Sequence, residues 1–293
     1  YDMEARTATI VIIDRASAFD EEAATAGIVV ENDKGEVVNT GYTISAWEHD
    51  GKRHTATVTF SENENYVWSY SYTNLADNVL DVVNKLDTGD SETPFVFTVD
   101  DKDPTGTITV NENTWDKILN VLTFGIFSNV KADVSATYDD ETSPVTVEYY
   151  KVTNREAPVV LSVQKLDELY AEGKFSAYSN FSVTSDEQFV VYLRITDYAG
   201  NYIYINSDGA IVDKVPSAIV ITPENANGLY GLDYENGIKM DISVTDAEPY
   251  SGIKTIDYKV VMDNDSDNPT QSGNLYTFNN PAPAQADLKN SWT

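Results

Sequence analysis

The same phrases return along this chain at intervals of about 110 residues, and a tandem repeat of that size restricts the fold more tightly than composition does. "YTNLADN" at 72–78 is answered by "ITDYAGN" at 195–201, "VDDKDPTGTITV" at 99–110 by "VDKVPSAIVIT" at 212–222, and "TVEY" at 146–149 by "TIDY" at 255–258. Each copy must hold a core of its own, so the chain reads as serial domains. Pro104 and Pro216 mark the seams. Proline after an extended Val-Asp-Lys segment has fixed φ, donates no hydrogen bond and keeps its predecessor extended, which suits a stiff junction. The division is 1–103, 104–215 and 216–293.

The residues around the phrases alternate with a period of two. Tyr66, Trp68, Tyr70 and Tyr72 precede the first phrase, and Phe189, Val191, Leu193 and Ile195 the second. Val130, Ala132, Val134 and Ala136 form another such set, matched by Ile238, Met240, Ile242 and Val244. That period belongs to half-buried strands. Asp77-Asn78 and Gly200-Asn201 then supply residues that tolerate positive φ, so each phrase is a strand entering a hairpin, with the return strand at 202–205 in the second copy. About seven short strands in about 100 residues predict an all-β chain of tandem immunoglobulin-like β-sandwiches. Short helices are expected in the second domain. In "LSVQKLDELYAEG" Leu161, Leu166, Leu169 and Tyr170 approximate one helical face ending at Gly173, and "TWDKILNVL" at 114–122 suggests another turn or two. With the spacing of the second copy, the third phrase would fall beyond Thr293, so the third domain is expected to be truncated and to lack its last two strands.

Charge and residue usage narrow the function. The net charge of −29, from 48 acidic and 19 basic residues, repels phosphate backbones and anionic lipid, which argues against nucleic-acid or membrane-surface partners. Cysteine is absent, removing disulfides, thiolate metal sites and thiol nucleophiles. No run of about 18 apolar residues suggests membrane insertion. The start at Tyr1 reads as that of an excised piece without its own export signal.

The stretches "RTATIVIIDRASAF" at 6–19, "HTATVTFSENENYVWSYSYTNLADN" at 54–78, "DKDPTGTITVNENTWDKILNVLTFGIF" at 101–127 and "VVYLRITDYAGNYIYINSDGAIVDKVP" at 190–216 resemble the tandem bacterial immunoglobulin-like domains of very large surface proteins from Gram-positive gut bacteria. Asn74 and Asp77 stand where the second copy has Asp197 and Gly200, which keeps the hairpin but weakens a shared metal role. The resemblance implies display on the bacterial cell surface, calcium binding in some relatives, and host adhesion or immunoglobulin capture in others. A fold of this kind hosts many functions.

Side-chain chemistry offers few alternatives. Glu48, His49, Asp50 and His54 have the ligand types for Zn²⁺ or Ni²⁺, but a solvated hairpin of mixed charges is the simpler account. Beyond residue 54 there is no histidine, so a Ser-His-Asp site in the second or third copy is excluded. Carboxylate pairs abound without selecting glycoside chemistry. Seam residues Asp100, Asp101, Asp103 and Asp213, with turn Asp197, have the hard oxygens to share Ca²⁺ between neighbouring domains, a solvated acidic surface being the alternative. Asp263, Asp265 and Asp267 occupy positions 1, 3 and 5 of a calcium loop, but Asn268 replaces the turn glycine and Asn274 the bidentate glutamate, so a polar hairpin tip serves as well. Lysine is absent from 105–110 and 217–222, which does not support a Lys-Asn crosslink on the opening strand. "EYYKV" puts Tyr149 and Tyr150 on opposite faces of a strand and forces one outward.

The expectation is a monomeric, non-enzymatic, adhesin-like surface protein that recognises a host protein or glycan, with immunoglobulin capture a specific version. A stalk that spaces another module from the cell wall, and an accessory module of a carbohydrate-active surface enzyme, remain the alternatives.

Overall fold

The computed structural model describes residues 3–13, 19–74, 77, 79, 95–153, 160–223, 238–249, 251–261, 269–277 and 285–292. They form two compact units. The first comprises Tyr1–Gly106, Tyr138–Val147 and Arg194–Ile203, the second Thr107–Thr137, Glu148–Leu193 and Tyr204–Thr293.

The first sandwich opens with β1 (Arg6–Ile13), α1 (Glu21–Ala26), β2 (Ile28–Glu31), β3 (Tyr42–Ile44), β4 (Glu48–Asp50), β5 (Arg53–Phe60), β6 (Glu64–Tyr70) and β7 (Phe95–Val99). One sheet has the order β1-β5-β3, with β4 also on β5, and the other the order β2-β6-β7. Alternation in β5 sends His54, Ala56, Val58 and Phe60 inward. They join Ile10 and Ile12 of β1, Val30 of β2, Tyr66 and Trp68 of β6, and Phe97 and Val99 of β7 in a single core shared by both sheets. The Phe60 ring centre lies 5.0 Å from Tyr66 and 5.4 Å, edge-on, from Phe97. Buried Tyr66 keeps its hydroxyl satisfied by donating to the Gly41 carbonyl at 3.1 Å and the Glu62 carbonyl at 3.0 Å. Sequence periodicity missed α1, which is only six residues long. Asp20 caps it by accepting from the Ala23 amide at 3.0 Å, and Thr25 Oγ1 receives the Trp47 indole N–H at 3.0 Å.

The second copy contributes β8 (Thr105–Val110), β9 (Asn113–Trp115), β10 (Ile126–Ser128), β11 (Ala132–Asp139), β12 (Val145–Thr153), α2 (Val163–Ala171), β13 (Ser176–Ala177), β14 (Phe181–Val183), β15 (Glu187–Asp197), β16 (Tyr202–Asn206) and β17 (Ala210–Val212). Its sheets have the orders β14-β11-β8-β9 and β10-β17-β15-β12-β13, with β16 also on β15. β15 is apolar on both faces. Phe189, Val191 and Leu193 alternate with Val190 and Tyr192, and all five are buried. The second set packs with Leu166 of α2, Phe175 and Tyr204, so α2 covers one face of that sheet.

Three expectations give way here. The 114–122 stretch is not helical: Trp115 pairs with Ile108 across β8 and β9, and the Leu119 amide donates to Asn206 Oδ1 at 2.7 Å, so tertiary partners override local propensity. Neither Tyr149 nor Tyr150 is forced outward. Phe181 lies 5.0 Å from one ring and Phe175 5.7 Å from the other, because the layer under α2 covers the face the sequence leaves open. Val130 also lies outside β11 and is exposed.

The third copy provides β18 (Ala218–Pro223), β19 (Ile238–Thr245), β20 (Thr255–Val261), β21 (Pro269–Thr277) and β22 (Gln285–Trp292), ordered β18-β19-β22 and β20-β21. Val244, Ile253 and Ile256 form its buried cluster.

Candidate metal centre

Within the first unit, three stretches of chain place an aspartate at a strand end. Asp100 follows β7, Asp140 follows β11, and Asp197 closes β15. Aspartate is suited to such places because its short carboxylate accepts amides two to four residues further on and stabilises the turn. Asp140 Oδ1 accepts from the Thr142 amide at 2.8 Å and the Ser143 amide at 2.9 Å. Asp197 Oδ1 accepts from the Gly200 and Asn201 amides at 2.6 and 2.9 Å, and its Oδ2 from Asn201 Nδ2 at 2.7 Å. Gly200 sits at φ +107°, in the region that favours glycine. Asn201 Nδ2 also donates to the Asp100 carbonyl at 2.9 Å, tying that hairpin to the residue after β7.

The three turns bring one carboxylate oxygen of each aspartate within 4.8 Å of the others. Asp100 and Asp197 are buried and Asp140 is half-buried. Asp100 Oδ1 accepts from the Lys102 amide at 3.3 Å. Its Oδ2, fully shielded from solvent, has no hydrogen-bond partner, and neither has the Ser143 hydroxyl beside it. Burial pushes the Asp100 carboxyl above its usual range. The nearby Ser143 hydroxyl and the Lys102 amide offset part of that rise, and the charges of Asp140 and Asp197 add to it. Three converging hard oxygens form a donor set suited to Ca²⁺ or Mg²⁺ and ill suited to soft metals.

The other sequence candidates fall elsewhere. Asp101 and Asp103 are exposed, and Asp101 is engaged by Asn63, whose Nδ2 donates to Asp101 Oδ1 while the Asp101 amide donates to Asn63 Oδ1 at 2.9 Å. Asp263, Asp265 and Asp267 lie outside the described residues. The histidines are not a solvated pair: His54 is buried and stacked on Phe19 at 4.0 Å, with its Nδ1 2.7 Å from His49 Nδ1. Sequence reasoning passed over Asp140, although "YDDETSP" follows a strand as "VTDAEPYS" does in the third copy.

Asp213 belongs to the second unit, in a turn built like that of Asp100. Asp213 Oδ1 accepts from the amide two residues on, Val215, at 2.9 Å. Here, however, Oδ2 also has a partner, the Ser251 amide at 2.8 Å. Asp246, which follows β19 as Asp140 follows β11, accepts from Ser217 Oγ at 3.0 Å and the Gly252 amide at 2.7 Å.

No family model matches the chain, and no curated protein matches it either. Among solved structures, the Escherichia coli adhesin FdeC is 10% identical over 87% of this chain and 74% of that one, with a TM-score of 0.33. Escherichia coli alpha-2-macroglobulin activated by porcine elastase is 13% identical over 99% of this chain and 27% of that one, with a TM-score of 0.19. Superpositions this loose bear on neither the fold nor the role of the chain.

Proposed function

We propose that this chain belongs to a bacterial cell-surface protein that binds a host protein or glycan without catalysis, displayed outside the cell as a monomer. The observation that carries this reading is the serial repetition, near 110 residues, of β-sandwich copies separated by Asp-Lys and proline seams. Modules of this build offer sheet faces and hairpin ends for recognition. The charge of −29 favours neutral or basic partners over nucleic acid and anionic lipid. Immunoglobulin is the specific ligand to examine first, on the strength of the sequence resemblance. A stalk role is the second reading, favoured by the Asn201 bond that clamps a hairpin to the Asp100 carbonyl.

The test is binding of the purified chain, and of each copy separately, to immobilised Fab, Fc, mucin and a glycan array. Saturable binding retained by one copy supports the adhesin. Binding to none of the four surfaces contradicts it and favours the stalk.

A further inference from the structure

We propose that Asp100, Asp140 and Asp197 form a binding site for a hard divalent cation, Ca²⁺ in preference to Mg²⁺, with the orphan Oδ2 of Asp100 as its innermost ligand. This proposal does not depend on what the chain binds as an adhesin.

An acidic cluster alone would not carry it, because exposed aspartates in an acidic protein repel one another and hydrate. The decisive feature is that Asp100 is completely buried and one of its oxygens has no donor. Leaving a charged acceptor unpaired in the interior is costly, so such groups are paired, protonated or metal-bound. Lysine does not relieve it: the Lys102 ammonium lies 3.3 Å from Glu141 Oε2. Asp140 and Asp197 already spend oxygens on turn amides, so their carboxylates are held in place before any cation arrives.

Size favours calcium. Bonds of about 2.3–2.6 Å put opposite ligands of a Ca²⁺ shell roughly 4.6–5.2 Å apart, against about 4.0–4.2 Å for Mg²⁺. Oxygens within 4.8 Å of one another lie inside the span of a Ca²⁺ shell, and Ca²⁺ accepts irregular carboxylate geometry where Mg²⁺ demands a near-ideal octahedron. The unpartnered Ser143 hydroxyl supplies a further oxygen at the same place. A bound cation would fasten the turns after β7, β11 and β15 to one another. Asp213 and Asp246, the buried aspartates among the described residues of the second unit, have backbone or hydroxyl donors on all four oxygens and serve as an internal control.

Isothermal titration of CaCl₂ into the chelator-stripped chain tests the site. The expected result is a saturable component with Kd of about 10⁻⁴–10⁻³ M, the range of extracellular calcium modules. Asp140→Asn and Asp100→Asn each weaken it at least tenfold, Asp246→Asn leaves it unchanged, and Mg²⁺ gives a weaker response. Asn keeps the acceptor used by the Thr142 and Ser143 amides, so Asp140→Asn preserves the turn, and far-ultraviolet circular dichroism verifies the strands. The absence of saturable heat up to about 10 mM calcium, tenfold above that range, would overturn the proposal. Binding that survives both Asp140→Asn and Asp100→Asn would overturn it equally.

Discussion

Asp100 and Asp213 begin the same local turn, each accepting an amide two residues on, yet their second oxygens meet opposite fates. Asp213 Oδ2 is satisfied by the Ser251 amide, whereas Asp100 Oδ2 has no hydrogen-bond partner and the Asp100 carboxylate has an oxygen within 4.8 Å of oxygens of Asp140 and Asp197. The repeated Val-Asp sequence therefore fixes the turn and leaves its electrostatics to whatever the neighbouring segments bring. One setting uses backbone dipoles to hold a buried charge. The other concentrates like charges around it, which is the arrangement of a cation site.

That contrast is broken most severely by truncation. Asp213→Ala strips the Val215 and Ser251 amides of their acceptor and is expected to cost about 2–4 kcal/mol, read from urea unfolding of the second unit. Asp100→Asn in chelator is expected to be neutral or stabilising within about 1 kcal/mol, because it removes a buried charge that no cation pairs and keeps the oxygen that accepts from the Lys102 amide. A loss at Asp100 as large as that at Asp213 would erase the distinction. Gly200→Ala comes next: a Cβ has room there, with Met3 Cε at 3.9 Å, so the expected cost of about 1–3 kcal/mol is that of backbone strain at φ +107°.

Acid offers a finer cut. Burial pushes the Glu187 carboxyl up, but Lys151 at 2.8 Å and the hydroxyls of Ser185 and Thr153 outweigh it, holding it net below its usual value. A depressed carboxylate contributes stability above its unfolded pKa and loses it as pH falls through the folded one. Thermal unfolding at stepped pH should thus show the second unit weakening in acid, with Glu187→Gln flattening the slope. Smallest is Lys102→Ala, which removes an exposed pair with Glu141 and should move stability by less than about 0.5 kcal/mol.

Much of the fold was legible because alternation is a local signal. Tyr66, Trp68 and Tyr72 all point into the first core, and Phe189, Val191 and Leu193 into the second copy. The failures have a common cause in tertiary structure. No local pattern announces that Asn206 captures the Leu119 amide, or that the layer under α2 half-covers Tyr150 while Phe181 half-covers Tyr149 on the other face of β12. The centre was half legible for the same reason. Asp100 and Asp197 stood out at a seam and a turn, but convergence with Asp140 depends on three strand ends meeting, and acidic neighbours such as Asp101 and Asp103 look identical in sequence while facing solvent.

The most direct measurement is the thermal unfolding of the chain with 1 mM CaCl₂ and with chelator, for the native sequence, Asp140→Asn and Asp246→Asn. Saturation at roughly one to ten times Kd is worth about 0.4–1.4 kcal/mol, a shift of a few degrees in Tm. The account predicts that this calcium shift is present in the native chain, lost in Asp140→Asn and retained in Asp246→Asn. No shift in the native chain, or one that persists in Asp140→Asn, would contradict it.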